Sequence, residues 1–120
     1  YGRPLQDIAH FIAHLWMQHQ RAPSDAMAEA VEALRGAFLG TYADTLGSAQ
    51  ASLWNDAERR DAAVHFGAEI LVRAVGPFRD GYVYAGLDSG HPVVHEAVST
   101  AAQHLRAPHE TDVLCPSLER

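Results

Sequence analysis

His10 and His14 stand four residues apart in a stretch of helical periodicity, and Asp7 lies one turn before them on the same side. That spacing lets two imidazoles on one helix face share a single ion. The residues between them, Phe11, Ile12 and Ala13, include no Glu, so the His-Glu-x-x-His pattern of a zinc protease is missing. A site between helices would need a ligand from elsewhere in the chain, such as His65, His95 or His104. Although the chain carries 8 histidines, the plainer expectation is that it holds no metal. Asp7, His10, His14 and Gln18 then form the polar edge of an amphipathic helix, suited to face another domain.

Other chemistries find fewer parts. Cys115 sits beside Pro116 with no base fixed near it by secondary structure, so a nucleophilic role is not expected. Gly76, Gly81, Gly86 and Gly90 are irregularly spaced and do not link a strand to a helix, which argues against a phosphate-cradling loop. No Gly-x-Ser-x-Gly elbow and no Cys-x-x-Cys pair occurs, and no residue is assigned a catalytic role. Arg73 is the one cation in the second half of its helix, with Glu69 four residues earlier. An ion pair accounts for it most simply, yet its planar fork also suits a phosphate or carboxylate in a cleft.

The elements that must position these groups read as helices, because no segment sustains the period-two alternation of a strand. The first helix spans Pro4 to Gln20, with Leu5, Ile8, Ile12, Leu15 and Trp16 at helical spacing, and Pro23 closes the segment. The next begins near Ser24 or Asp25 and runs to about Leu46, presenting Met27, Val31, Leu34, Phe38 and Tyr42 on one face. Arg35 falls away from that face, and Gly36 with Gly40 implies a close helix approach. After a connection from Gly47 to Asn55, a third helix runs from Asp56 to Val75 and buries Ala63, Val64, Gly67, Ile70, Leu71 and Ala74. Gly76-Pro77 ends it. Pro77 to Gly90 is too apolar for a free loop and reads as a packed connection with a helical turn. The last helix starts at Pro92 and buries Val94, Val98, Ala101 and Leu105. The expected architecture is therefore an all-α subdomain of about four main helices over residues 1–106, with a mobile tail over 107–120.

Composition narrows the function classes. The 120 residues suit one core. Nine Arg and no Lys against 15 acidic residues give a net charge of −6, which disfavours nucleic-acid binding. The apolar fraction of 48% with 20% charged is that of a folding domain. No stretch is long enough to span a bilayer and no signal peptide is evident, so no membrane partner is expected. A single Cys gives no internal disulfide, which points to the cytoplasm. The chain opens at Tyr1 without Met and enters a helix at once, as a piece of a longer protein would.

Three stretches carry a family resemblance: Tyr1-Gly2-Arg3-Pro4-Leu5-Gln6-Asp7-Ile8-Ala9-His10-Phe11-Ile12, then His65-Phe66-Gly67-Ala68-Glu69-Ile70-Leu71-Val72-Arg73-Ala74-Val75-Gly76, and the closing helix Ala97 to Arg106. In this order they resemble the C-terminal helical part of the small-molecule kinases related to aminoglycoside phosphotransferases and choline kinases, with methylthioribose kinases nearest. The opening stretch resembles the one just after the family's metal-binding Asp, where a Gly and often a Pro precede an Asp-aliphatic-Ala run. The middle stretch is similar to the helix that carries substrate-facing arginines, although methylthioribose kinases show two adjacent arginines where this chain has Val72-Arg73. The segment from His109 has no counterpart.

The resemblance implies a substrate-binding helical portion of an ATP-dependent phosphotransferase acting on a sugar, aminoglycoside or amino-alcohol. Its nucleotide lobe, catalytic Asp and Mg²⁺ ligands would all precede Tyr1, so ATP and Mg²⁺ belong to the intact protein and no cofactor to this portion. It further implies that Asp7 braces the catalytic loop and that Arg73 faces the acceptor. The partners are then the upstream ATP-binding lobe and a small-molecule acceptor. The alternative is a free-standing helical bundle that senses a ligand or forms a homodimer, as the effector domain of a regulator does.

Overall fold

Leu5, Ile8, Ile12 and Leu15 advance by three and four, and in the computed structural model all four turn inward, with Ala9, Ala13 and Met17 completing the stripe. The structure describes residues 4–111. Helix α1 (Pro4–Gln20) is the central element, packed by α2 (Asp25–Leu46) on one side and by α4 (Asp56–Ala74) on the other. α5 (Pro92–Arg106) lies against α4, and a short helix, α3 (Gln50–Leu53), joins α2 to α4. No strand occurs among the described residues, so the chain is all-α, with four long helices.

Local chemistry sets the ends. The Ser24 hydroxyl accepts from the Met27 amide at the start of α2, and Asn55 Oδ1 accepts from the Glu58 amide at the start of α4. Gly47, at φ 53°, lets α2 stop in a left-handed conformation. Pro92 opens α5 behind His91, whose Nδ1 accepts from the Val93 amide.

The tightest helix contact lies between α4 and α5. A Cβ added to Gly67 would stand 2.8 Å from the Ala101 carbonyl oxygen and 3.2 Å from His104 Cβ and Leu105 Cγ. Only a residue without a side chain permits that spacing. Gly36 and Gly40, expected to mark such an approach, instead face open space with nothing within 4 Å of an added Cβ.

The face of α2 is also rotated from the expected one. Ala28, Arg35 and Leu39 are its buried residues, whereas Met27 and Leu34 are each 51% exposed. Arg35, at 1% exposure, makes a two-pronged pair with Glu32: Nε to Oε2 at 3.1 Å and Nη2 to Oε1 at 2.9 Å. A guanidinium can enter the interior when its donors are met this way. In α4, Ala62 and Phe66 join the buried stripe, Val64 is exposed and Leu71 is only partly covered.

The 47–55 connection is more ordered than expected, holding a 3₁₀ turn (Gly47–Ala49) before α3. Its Trp54 stacks on Tyr42 with ring centroids 6.1 Å apart. The segment from 77 to 90 packs on the core through Tyr82, Val83, Tyr84 and Leu87, with the expected helical turn as a 3₁₀ turn at Arg79–Gly81, whereas Phe78 is 57% exposed. Tyr84 is fully buried in it and donates its hydroxyl to Gln20 Oε1, while Gln20 Nε2 donates to the Val93 carbonyl at 3.0 Å. The expected tail opens with a 3₁₀ turn (Pro108–Glu110) packed on α4 and α5; the rest of it, Cys115 included, lies outside the described residues. No described helix is long and apolar enough to cross a membrane.

Candidate functional site

Where α1 and α4 run side by side, the polar edge of α1 meets Glu69. His14 Nε2 lies 3.0 Å from Glu69 Oε1, His10 Nδ1 lies 3.4 Å from Oε2, and the two Nε2 atoms are 3.2 Å apart. Glu69 is 14% exposed at its side chain, His14 23% and His10 56%, so the cluster opens outward through His10. The i,i+4 spacing read from the sequence does bring both imidazoles to one place. The interhelical partner is a carboxylate, however, and not His65, His95 or His104.

Three further groups close the cluster. Tyr82, from the connection after α4, places its Oη 2.6 Å from His14 Nδ1, and Gln18 Nε2 donates to the same oxygen at 3.4 Å. Arg73, one turn beyond Glu69, donates Nε to Glu69 Oε1 at 3.0 Å. Its guanidinium lies over two rings, Phe78 at 5.3 Å and Tyr82 at 5.4 Å, which fixes a long side chain that would otherwise sample many rotamers.

One proton arrangement satisfies the inner members: Gln18 donates to Tyr82, the Tyr82 hydroxyl donates to His14 Nδ1, and His14 Nε2–H donates to Glu69 Oε1, while His10 Nδ1 stands 3.4 Å from Oε2. Burial is the largest influence on His14 and lowers its pKa; Glu69 opposes that shift and His10 reinforces it.

A cleft of about 280 Å³ adjoins the cluster between α1 and α4, lined by Asp7, His10, His65 and Glu69 among others. Asp7 is exposed at its rim in the first turn of α1, where a carboxylate complements the helix dipole. His95 is exposed on α5. His104 is held against Phe66, with ring centroids 4.5 Å apart, and its Nδ1 is 2.8 Å from the Thr100 carbonyl oxygen.

Sequence reasoning misses two members. It pairs Glu69 with Arg73 alone, and nothing in the spacing relates Glu69 to a helix 55 residues earlier. Tyr82 reads as one aromatic among several in an apolar connection. The available signal is that Glu69 shares a helix face with the inward-turned Phe66 and Ile70, and so must itself lie near a neighbouring helix.

No family model matches the chain, and neither the curated proteins nor the solved structures contain a significant match to it.

Proposed function

We propose that this chain is the acceptor-side helical portion of a cytoplasmic, ATP-dependent small-molecule phosphotransferase. The observation that carries the reading is the state of Arg73. Its Nε edge is engaged by Glu69 and its plane is held by Phe78 and Tyr82, while the side chain stays 28% exposed. Among the described residues its terminal nitrogens make no hydrogen bond, so a preorganised fork remains for a polar acceptor. Asp7 and Glu69 add negative charge on the same side, which suits an amino-alcohol or aminoglycoside.

In this reading the nucleotide's phosphates are met outside this portion. Helices α2, α4 and α5 each engage a first-turn amide with their own cap, from Ser24, Asn55 and His91. In this reading ATP and Mg²⁺ are held by an upstream lobe. Asp7 and Arg73 work on the acceptor side of the division, Asp7 bracing the catalytic loop and Arg73 orienting the acceptor.

The test is to express the whole reading frame and measure Mg-ATP-dependent phosphorylation of a panel of sugars, aminoglycosides and amino-alcohols. Transfer to one class supports the reading. Absence of phosphorylation across the panel overturns it.

A second reading, a dimerising or ligand-sensing bundle, is favoured by α2. Leu34, Phe38, Tyr42 and Leu46 line an open, largely apolar groove of about 560 Å³ there. Sedimentation of the chain as a dimer whose affinity falls with Leu34→Ser would support that reading over the first.

A further inference from the structure

We propose that His10, His14 and Glu69 form a binding site for a borderline divalent cation of the zinc class. The proposal is independent of the phosphotransferase reading, because it rests on the geometry of three side chains and uses no nucleotide or acceptor.

The ligand atoms already converge. In a tetrahedral zinc site with bonds of about 2.05 Å, neighbouring ligand atoms stand about 3.3 Å apart. The two Nε2 atoms are 3.2 Å apart and His14 Nε2 is 3.0 Å from Glu69 Oε1. One ligand atom from each of the three residues falls within 4.8 Å of the others. Rotations of an exposed His10 close the remaining distance. Two imidazoles and one carboxylate select zinc, cobalt, nickel or copper over magnesium or calcium, which require all-oxygen shells.

The surroundings are those of a ligand set. His14 Nδ1 faces Tyr82 Oη at 2.6 Å, and an outer partner on the second ring nitrogen orients a metal-bound histidine. On binding, the His14 proton moves from Nε2 to Nδ1 and is donated to Tyr82 Oη, whose own hydrogen rotates away, so the balance needs no external base. His10 presents Nε2, and before that rotation its Nδ1 stands 3.4 Å from Glu69 Oε2. Arg73 remains on Glu69 Oε1, so the carboxylate joins the cation to the guanidinium. Three protein ligands leave a fourth position, and the cleft beside His10 and Glu69 lets water or a small ligand fill it.

The test uses the full chain without a polyhistidine tag, stripped by a chelator, then titrated with Zn²⁺ alone by calorimetry and with Co²⁺ alone by visible absorption. The expected result is one equivalent bound with micromolar or tighter affinity, and a cobalt d–d spectrum of four- or five-coordinate type. His10→Ala and Glu69→Gln should each weaken zinc at least tenfold, and Tyr82→Phe should weaken it less. His95→Ala, on an exposed face of α5, should leave it unchanged. His10 is exposed, so its variant keeps the fold, and far-UV circular dichroism verifies this for each protein. Absence of saturable zinc binding by the folded chain overturns the proposal, as does zinc affinity that His10→Ala leaves unchanged.

Discussion

Tyr82 Oη lies 2.6 Å from His14 Nδ1, and this bond ties the connection after α4 back to the first helix across 68 residues of sequence. The same ring lies under the Arg73 guanidinium, so one aromatic residue orients two groups of the candidate site. Tyr82→Phe keeps the ring contact and removes the hydroxyl. It should cost about 1 kcal/mol of stability, the usual worth of one hydrogen bond, read as a lower midpoint in urea denaturation. An unchanged midpoint would mean that the hydroxyl is as well satisfied by water.

Gly67→Ala should be among the more damaging small substitutions. The added Cβ meets a backbone oxygen at 2.8 Å, which cannot swing aside as a side-chain tip can, so α4 and α5 must separate. Overpacking of this kind costs about 1–3 kcal/mol. Gly36→Ala, in open space inside α2, should instead stabilise the protein by several tenths of a kcal/mol up to about 1 kcal/mol through helix propensity. Thermal melts of the two variants should therefore move in opposite directions.

His104 supplies a pH dependence whose sign follows from its burial. Burial, its largest influence, lowers its pKa from the ordinary 6.5, and the bond to the Thr100 carbonyl opposes only part of that. The folded state then binds fewer protons than the unfolded state within that window, so stability rises with pH there. The contribution is complete above about pH 6.5 and is lost as pH falls through the lowered folded value. His14 acts in the same direction. Tm should drop between about pH 7 and pH 5, and His104→Gln should flatten that slope. A Tm independent of pH over this range would contradict the burial of both rings.

Much of the fold was legible because punctuation and periodicity agreed. Pro4, Ser24 and Pro92 mark helix starts that the structure reproduces, the third long helix starts at Asp56 as expected, and Gly47 and Gly76-Pro77 mark stops. The face of α2 was not legible, because Arg35 reads as a surface residue until its two-pronged bond to Glu32 is seen. Gly36 and Gly40 misled for the complementary reason: a small residue marks a close contact only where a neighbour exists, and that neighbour is opposite Gly67. In the candidate site, the i,i+4 histidines follow from helical geometry alone. Their meeting with Glu69 and Tyr82 depends on how α1, α4 and the 77–90 connection pack, which no local pattern encodes.

The measurement that tests the central claim most directly is kcat/KM for acceptor phosphorylation by the product of the whole reading frame, comparing wild type with Arg73→Ala and Arg73→Lys. Glu69→Ala is unsuitable as a control, since Glu69 also holds His14 and His10. Arg106→Ala, on an exposed position of α5, serves instead. If Arg73 orients the acceptor, Arg73→Ala should lower kcat/KM by roughly tenfold or more, about 1.4 kcal/mol of transition-state binding, with Arg73→Lys intermediate and Arg106→Ala unchanged. Equal kcat/KM in Arg73→Ala and Arg106→Ala, with both proteins folded, would contradict the assignment of this face to the acceptor.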